Sequence, residues 1–501
     1  MRRAVRATDG SEDGGFDRNP VSFPGITGPA AGGLLLLVAL VTRAALLGDP
    51  VYHVDEQWYL LVGDRLLHGA LPYVDLWDRK PIGLFLLYAG LRLLPGDDVL
   101  AYQLAATLAA AATAWIVTLG GRRLGAGAGA AFAAGCAYLI WLPLLSGGGG
   151  QSPVFYNLPM AAAGVLTLRL PTIAAARRRG TIVANGATAC LLAGLAIQVK
   201  YTPFVEGALF GLAHLFFLRR AGGRLPLLAA AGLLWALLGL VPTLLAIAWF
   251  AAKGPAAFHA FWFANFASVA LRRGYPAARI AGRLAGTWAQ LLPLVACAAL
   301  TWHRRRRRPE ATVAVAWLAA ALVGYAMIGA FFDHYALPLV APLAMLAAPA
   351  LRDRRVLVAT LGLGLAVLGV KAAARPREGD GIRALSRVVA ANDRGGCPYV
   401  FAGDSVVYLL AHACVPTPYA FPSSLAYDAE RGATGIDEAA EVRRVMAARP
   451  PVVVTLDRPL APWNPASEAI VAAALARDYR LAFTTPRAGG HELVYLRRRG
   501  R

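Results

Sequence analysis

Eleven apolar runs dominate this chain, near residues 28–48, 98–119, 126–144, 155–173, 182–199, 202–218, 226–250, 286–302, 311–331, 335–351 and 356–371. A helix needs about 20 mainly apolar residues to cross a bilayer. The two runs flanking Lys200 and Tyr201 are short, and the count depends on keeping both. Only 16% of the 501 residues are charged, and the mean hydropathy is +0.52. Soluble domains average roughly 25% charged residues. These values argue against a single soluble enzyme, a disordered chain and a basic nucleic-acid-binding domain, so no nucleic acid is expected as a partner. The expected fold is a polytopic α-helical membrane protein of about eleven transmembrane helices with one smaller soluble unit.

The basic residues orient those spans. Formal charge is +21, from 50 basic and 29 acidic residues. Only four of the basic residues are lysines (Lys80, Lys200, Lys253, Lys371), so the arginine excess reflects composition more than chemistry. Basic clusters between spans favour the cytoplasmic side. With the N-terminus inside, Arg122-Arg123, Arg177 to Arg179, Arg219-Arg220, Arg304 to Arg308 and Arg352 to Arg355 all fall there. The loops 49–97, 146–152, 251–283 and 332–334 then face outward, and an odd number of spans puts the C-terminal region outside. The polar segment 1–27 is expected to be a disordered cytoplasmic tail. Residues 28–374 form the transmembrane part, and residues 375–501 an extracytoplasmic domain.

Two regions depart from the spanning pattern. In the first outer loop, 49–97, Asp55 to His68 has amphipathic helical spacing, and Pro81 to Leu94 is apolar but too short to span. Both are expected to lie along the outer membrane interface, where Trp58, Tyr59, Tyr73, Trp77 and Tyr88 suit the depth. After residue 375, Tyr399 to Ala402, Val452 to Leu456 and Leu481 to Thr484 read as strands, and Glu438 to Ala448 and Ser467 to Arg477 as helices. That alternation predicts a small α/β domain. Cys397 and Cys414 can pair there if the region lies outside the cytoplasm, whereas Cys136, Cys190 and Cys297 sit in apolar runs. No cysteine spacing resembles a zinc site.

Acidic residues narrow the chemistry. Between Asp98 and Glu310 the chain has one, Glu206. Asp55-Glu56 opens the first interfacial helix, where a carboxylate either answers the helix dipole or serves as a general base. Asp78-Arg79-Lys80-Pro81 places a lysine at a helix start, as a phosphate ligand or as a cation reaching lipid headgroups. Glu206 is a functional acid or a structural partner for Lys200. Asp333-His334-Tyr335 is either a substrate contact or an interfacial cap. The outward loop 253–283 carries Arg272, Arg273, Arg279 and Arg283 against the charge rule, for a lipid phosphate, an acidic acceptor or an interfacial segment. Gly147 to Gly150 reads as a flexible loop. No Gly-rich phosphate loop follows a strand, His214 and His259 read as bystanders, and Asp404, His412, Asp428 and His491 are too scattered to form a site.

Several of these segments resemble the GT-C membrane glycosyltransferases. Tyr52-His53-Val54-Asp55-Glu56, the run Gly69 to Asp75, and Asp78-Arg79-Lys80-Pro81 look like that superfamily's first outer loop. The nearest branch includes bacterial protein O-mannosyltransferase-like enzymes, the lipid A aminoarabinose transferase and rhizobial galacturonosyltransferases. Asp333-His334-Tyr335 with Leu337-Pro338-Leu339 is similar to the family's late His-Tyr segment, and Gly194-Leu195-Ala196 with Lys200-Tyr201 also fits. The resemblance covers most of residues 28–371. It implies inverting transfer of a sugar from a polyprenyl-phosphate donor to a lipid, glycan or protein acceptor on the outer face of the inner membrane.

Under the resemblance Asp55 is the base and Glu56 its support. Lys80 and Arg79 meet the donor phosphate, with His334 and Tyr335 beside it. Beyond what the resemblance implies, His53, Asp78, Gln151, Asn157, Lys200, Arg272 and Arg273 are weaker candidates for substrate contacts. Many relatives carry a second acid in the second outer loop, but Ser146 to Asn157 offers only Gln151 and Asn157. No metal ligand is therefore assigned; no cofactor is certain, and a divalent metal is possible but not supported. Two other classes compete: a transporter or lipid-linked-sugar flippase, and a scaffold or glycan ligase. A transporter should show internal repeats and charges spread through its spans. No repeat is visible, and the charges concentrate in one outer loop.

Overall fold

The computed structural model of the protein describes residues 28–498; the expected cytoplasmic tail lies outside them. The helices are α1 (Pro29–Arg43), α2 (Val54–Leu67), α3 (Ile82–Arg92), α4 (Asp98–Arg123), α5 (Ala128–Leu144), α6 (Ser152–Leu168), α7 (Leu170–Ala175), α8 (Arg179–Ile197), α9 (Phe204–Arg220) and α10 (Leu225–Ala252). They continue with α11 (Pro255–Trp262), α12 (Ala277–Arg305), α13 (Pro309–Ala326), α14 (Leu337–Ala347), α15 (Arg354–Ala374) and α16 (Gly379–Asn392). Every expected span has its helix. Among the described residues eight helices are long and apolar enough to cross a membrane. The other three expected spans, α5, α9 and α14, have 17, 17 and 11 residues.

Helix α14 explains part of that shortfall. All of its residues, Leu337 to Ala347, are buried, packed among α4, α5, α6, α12 and α13. A helix apolar on every side belongs in a core, so this run is a central pillar with no lipid-facing side. Elsewhere the apolar surface points outward: Leu225, Leu245 and Leu292 are 77%, 65% and 62% exposed. Where helices touch, small residues let their backbones approach. A Cβ on Gly194 of α8 would lie 2.5 Å from the Gly239 carbonyl of α10.

Helix ends sort by charge. Arg305 at the end of α12 donates to the Leu124 carbonyl at the end of α4 (3.3 Å), so those two arginine-rich ends share one face. Asp97 begins α4 at the opposite end, its Oδ1 accepting from the amides of Val99 (2.9 Å) and Leu100 (3.0 Å).

The C-terminal segment holds β1 (Tyr399–Val400), α17 (Val406–Leu410), α18 (Pro422–Ala426), α19 (Glu438–Ala447), β2 (Val452–Leu456), α20 (Pro465–Asp478), β3 (Tyr479–Arg487) and β4 (Gly490–Arg497). Strand order is β1-β2-β4-β3; β1 and β2 are parallel and the other pairs antiparallel. The expected strands and helices are present, and Cys397 and Cys414 are disulfide-bonded. The sequence reading missed β4. Its signal was the Ala488-Gly489 turn, with φ of 51° and 80°, which suits a tight hairpin.

Helix α2 is covered by protein on all sides: nine consecutive residues, Glu56 to Asp64, are buried. The C-terminal segment covers it. Gln57 Nε2 donates to Asp404 (2.6 Å), Arg65 to the Ala413 carbonyl (2.6 Å), and the Trp77 amide to the Pro418 carbonyl (2.9 Å). Trp58 packs on Phe421 and Trp77 on Tyr419. Asp404 is in turn held by Arg487, which also binds Glu378 (2.5 Å) and reaches the Val51 carbonyl (3.4 Å). Helix α3 does keep an outward face, with Leu86 55% exposed.

Removing Arg487 leaves two buried or half-buried carboxylates without their cation. Breaking a buried pair from one side costs about 3–5 kcal/mol. Arg487→Ala is expected to lower the melting temperature of the purified protein by several degrees, read by thermal unfolding in detergent.

Candidate active site

Five segments of chain converge at the end of the helices away from the arginine clusters. The first brings His53 and Asp55. His53 caps α2 in an extended conformation, its Nδ1 accepting from the Asp55 amide (3.3 Å), which fixes Asp55 in the first turn. The second loop brings Gln151, whose Nε2 lies 2.6 Å from His53 Nδ1 and 3.5 Å from Asp55 Oδ2. The turn before α14 brings His334, with Nε2 3.8 Å from Asp55 Oδ2. The two imidazoles meet edge-on at 4.9 Å. Asp333 lies 3.5 Å behind His334 Nδ1 and accepts from Ser146 (2.6 Å), tying the second loop to this turn.

Two lysines complete the group. Asp78 Oδ1 accepts from the amides of Arg79 (2.5 Å) and Lys80 (3.0 Å), and Tyr73 donates to the Lys80 carbonyl (2.8 Å). The Lys80 ammonium is thereby set 5.2 Å from the Tyr59 ring. Lys200, between α8 and α9, lies over the Tyr335 ring at 4.2 Å. Among the described residues neither lysine has a carboxylate within ion-pair distance, although Lys200 is 7% exposed.

Charge in the pocket is shared. Burial works against ionising Asp55, but Lys80, His53, His334 and the Gln151 hydrogen bond outweigh it and hold the carboxyl well below its usual range. Burial pushes His53 down to about 4, so it is neutral. Lys200 is pushed down to about 7 by burial and by Lys80. Burial opposes the charge on Lys80 as well, yet Asp78 and Asp55 raise it above the ordinary lysine value.

Not every candidate sits in this group. The Glu56 carboxyl lies against Gly149 instead, in surroundings that push it up to about 8 by burial, so it is mainly protonated at neutral pH. Arg79 is held by Glu430, Ser268 and the Ala433 carbonyl. Asn157 donates to Tyr138 (3.3 Å) and the Leu337 carbonyl (3.1 Å), bridging helices. Arg272 pairs with Glu430, and Arg273 is exposed. Glu206 accepts from Trp317 (2.7 Å) instead of pairing with Lys200, although both line one small cavity with Tyr335.

Gly147 to Gly150 is packed where flexibility was expected. The Gly147 carbonyl accepts from Arg43 (2.7 Å), the Gly148 amide donates to Tyr52 (3.0 Å), and the Gly150 carbonyl accepts from Tyr88 (2.7 Å). A Cβ on Gly150 would lie 2.4 Å from the Tyr88 oxygen and 2.6 Å from the Tyr102 ring. The run is glycine because backbone passes where side chains have no room. Sequence reasoning also missed Tyr59, whose buried hydroxyl is unpartnered beside Lys80, and Glu430.

His53, Asp55 and His334 each present a ligand atom, all within 4.8 Å of one another. Two imidazoles and a carboxylate form a donor set for a divalent transition-metal ion, a possibility that spacing hid because the ligands lie about 280 residues apart in sequence. The charges of Lys80 and Lys200 work against such an ion.

Comparison with solved structures finds ArnT from Cupriavidus metallidurans. Its crystal structure bound to undecaprenyl phosphate matches with a TM-score of 0.60 and 15% identity, covering 93% of this chain and 97% of that one. This chain has the fold of ArnT. The apo crystal structure matches similarly, with a TM-score of 0.59, 15% identity, and 92% and 97% covered. No family model matches the chain, and no significant match is found among curated proteins. At this identity the likeness to ArnT is one of fold. It spans both the helical part and the C-terminal segment that covers α2.

The Gly150 contacts can be tested directly. Overpacking a filled site costs about 1–3 kcal/mol. Gly150→Ala is expected to lower thermal stability by that amount, whereas Gly127→Ala, which meets no neighbour within 4 Å, should leave it unchanged.

Proposed function

We propose that this protein is an inverting membrane glycosyltransferase of the GT-C type. It moves a sugar from a polyprenyl-phosphate donor to a lipid, glycan or protein acceptor. The observation that carries the reading is the grouping of Asp55, beside His334 and Gln151, with two lysines that have no paired carboxylate. A displacement at a sugar phosphate needs a base beside the acceptor and positive charge beside the departing phosphate. That ArnT has been crystallised with undecaprenyl phosphate supports a lipid phosphate as the donor's leaving group.

The acceptor hydroxyl oxygen attacks the anomeric carbon, and the bond from that carbon to the phosphate oxygen breaks with its electron pair. The hydroxyl proton passes to Asp55. Lys80 and Lys200 balance the charge left on the phosphate, and Gln151 and His53 hold the Asp55 carboxylate in place. Lys80 also tunes the base. Its charge helps keep Asp55 acidic, so engaging that charge with a phosphate makes Asp55 a stronger base when the donor is bound.

The arginine clusters support an N-terminus on the cytoplasmic side of a bacterial inner membrane. The Cys397–Cys414 disulfide supports an extracytoplasmic domain from about residue 375.

The first test is mass spectrometry of envelope lipids, glycans and proteins from a deletion strain. Wild type should restore a lost sugar-sized mass. Asp55→Asn should fail to, with transfer down about 10²–10⁴-fold and thermal stability unchanged. Full restoration by Asp55→Asn would move a flippase or scaffold role ahead.

Lys200 gives a pH test. Its amine carries charge below about 7 and loses it above. Affinity for polyprenyl phosphate should therefore fall as pH rises from 6 to 8, and Lys200→Arg should flatten that fall. Equal slopes for the two proteins would remove Lys200 from the phosphate site.

A further inference from the structure

Glu430 stands in a turn of the C-terminal segment, 4% exposed. Its Oε2 lies 2.7 Å from Arg79 Nη1, and its Oε1 accepts from Arg272 Nε (3.1 Å) and from Arg272 Nη2. One carboxylate therefore joins three parts of the chain: the first outer loop, the loop between α11 and α12, and the C-terminal segment. The two guanidiniums differ in what they have left to offer. Arg79 also donates from Nε to Ser268 (3.0 Å) and from Nη2 to the Ala433 carbonyl (3.1 Å), and it stacks 4.5 Å from the Trp77 ring. Each of its nitrogens is engaged by the protein.

Arg272 spends only its Nε–Nη2 edge on Glu430 and also interacts with the Tyr335 hydroxyl. Tyr335 carries the Lys200 ammonium on its ring. Arg272 is thus aimed toward the lysine pocket by a carboxylate on its far side. A guanidinium fork gains affinity for an oxyanion when its orientation is fixed beforehand.

We propose that Glu430 is a positioning residue for donor binding. It acts through Arg272, which it holds so that the guanidinium edge not bound to Glu430 adds to the Lys80 and Lys200 charge around a lipid phosphate. Arg79 is the strut that fixes Glu430 and is not itself a phosphate ligand. The donor site is therefore completed by the C-terminal segment. This inference rests on the lipid-phosphate reading above.

The test measures binding of undecaprenyl phosphate to the full-length protein in detergent, without turnover. The proteins compared are wild type, Glu430→Gln, Glu430→Asp, Arg272→Gln and the double variant Glu430→Gln/Arg272→Gln. Glu430→Gln should weaken binding about tenfold, and Arg272→Gln by at least as much. The double variant should be no weaker than Arg272→Gln alone, since Glu430 acts through that residue. Glu430→Asp keeps the charge but is too short to hold both arginines, and it should weaken binding to a lesser degree even if the glutamine variant folds poorly. Once the sugar donor is known, Glu430→Gln should raise its KM and leave kcat within twofold, a split that general loss of structure does not give. Unchanged or tighter binding by Glu430→Gln, or additive losses in the double variant, would overturn the proposal. A folded wild type that binds no undecaprenyl phosphate would instead overturn the lipid-phosphate reading itself.

Discussion

The middle of helix α2 has no solvent-facing side, and the positions of His53 and Asp55 follow from that. Trp58, Leu61 and Val62 are fully buried. The helix is fixed from beneath by Gly63 against α3 and from above by the Gln57–Asp404–Arg487 hydrogen bonds. His53, as its cap, and Asp55, in its first turn, inherit that rigidity. A carboxylate on a mobile interfacial helix would spend orientation entropy at each encounter with substrate. Here that entropy is spent during folding.

Electrostatics then divides the labour between two adjacent acids. Asp55 lies among lysine, imidazole and amide groups and stays ionised, whereas Glu56, one residue on, faces backbone and aromatic rings and holds its proton. Successive positions on a helix point about 100° apart, so neighbours in sequence enter different surroundings. Lys80 and Lys200 stand in the same group as Asp55, each over a tyrosine ring. The Arg79–Glu430–Arg272 junction at its edge carries a net single positive charge.

Much of the architecture was legible in the sequence because the bilayer enforces simple rules. Length and apolarity marked the helices, and arginine marked one end of the bundle. Composition does not separate lipid from protein interior, so the complete burial of α14 was not legible, and neither was the cover over α2, which comes some 350 residues later. Asp55, Lys80 and Lys200 were findable because acids and lysines are scarce in this chain. His53 and His334 were suspected only as separate contacts, since their meeting depends on tertiary structure. Glu430 carried no sequence signal at all: it lies in a turn of an ordinary-looking domain, and only its two arginine partners reveal it.

The packed glycines bear on what this loop could ever carry. A side chain at 148 would run into Leu46 and Tyr52, at 149 into the Glu56 carboxyl, and at 150 into Tyr88 and Tyr102. At 149 a side chain and Glu56 would compete for the same volume, so that one position in the second loop can gain a side chain only if the first loop gives up room at Glu56.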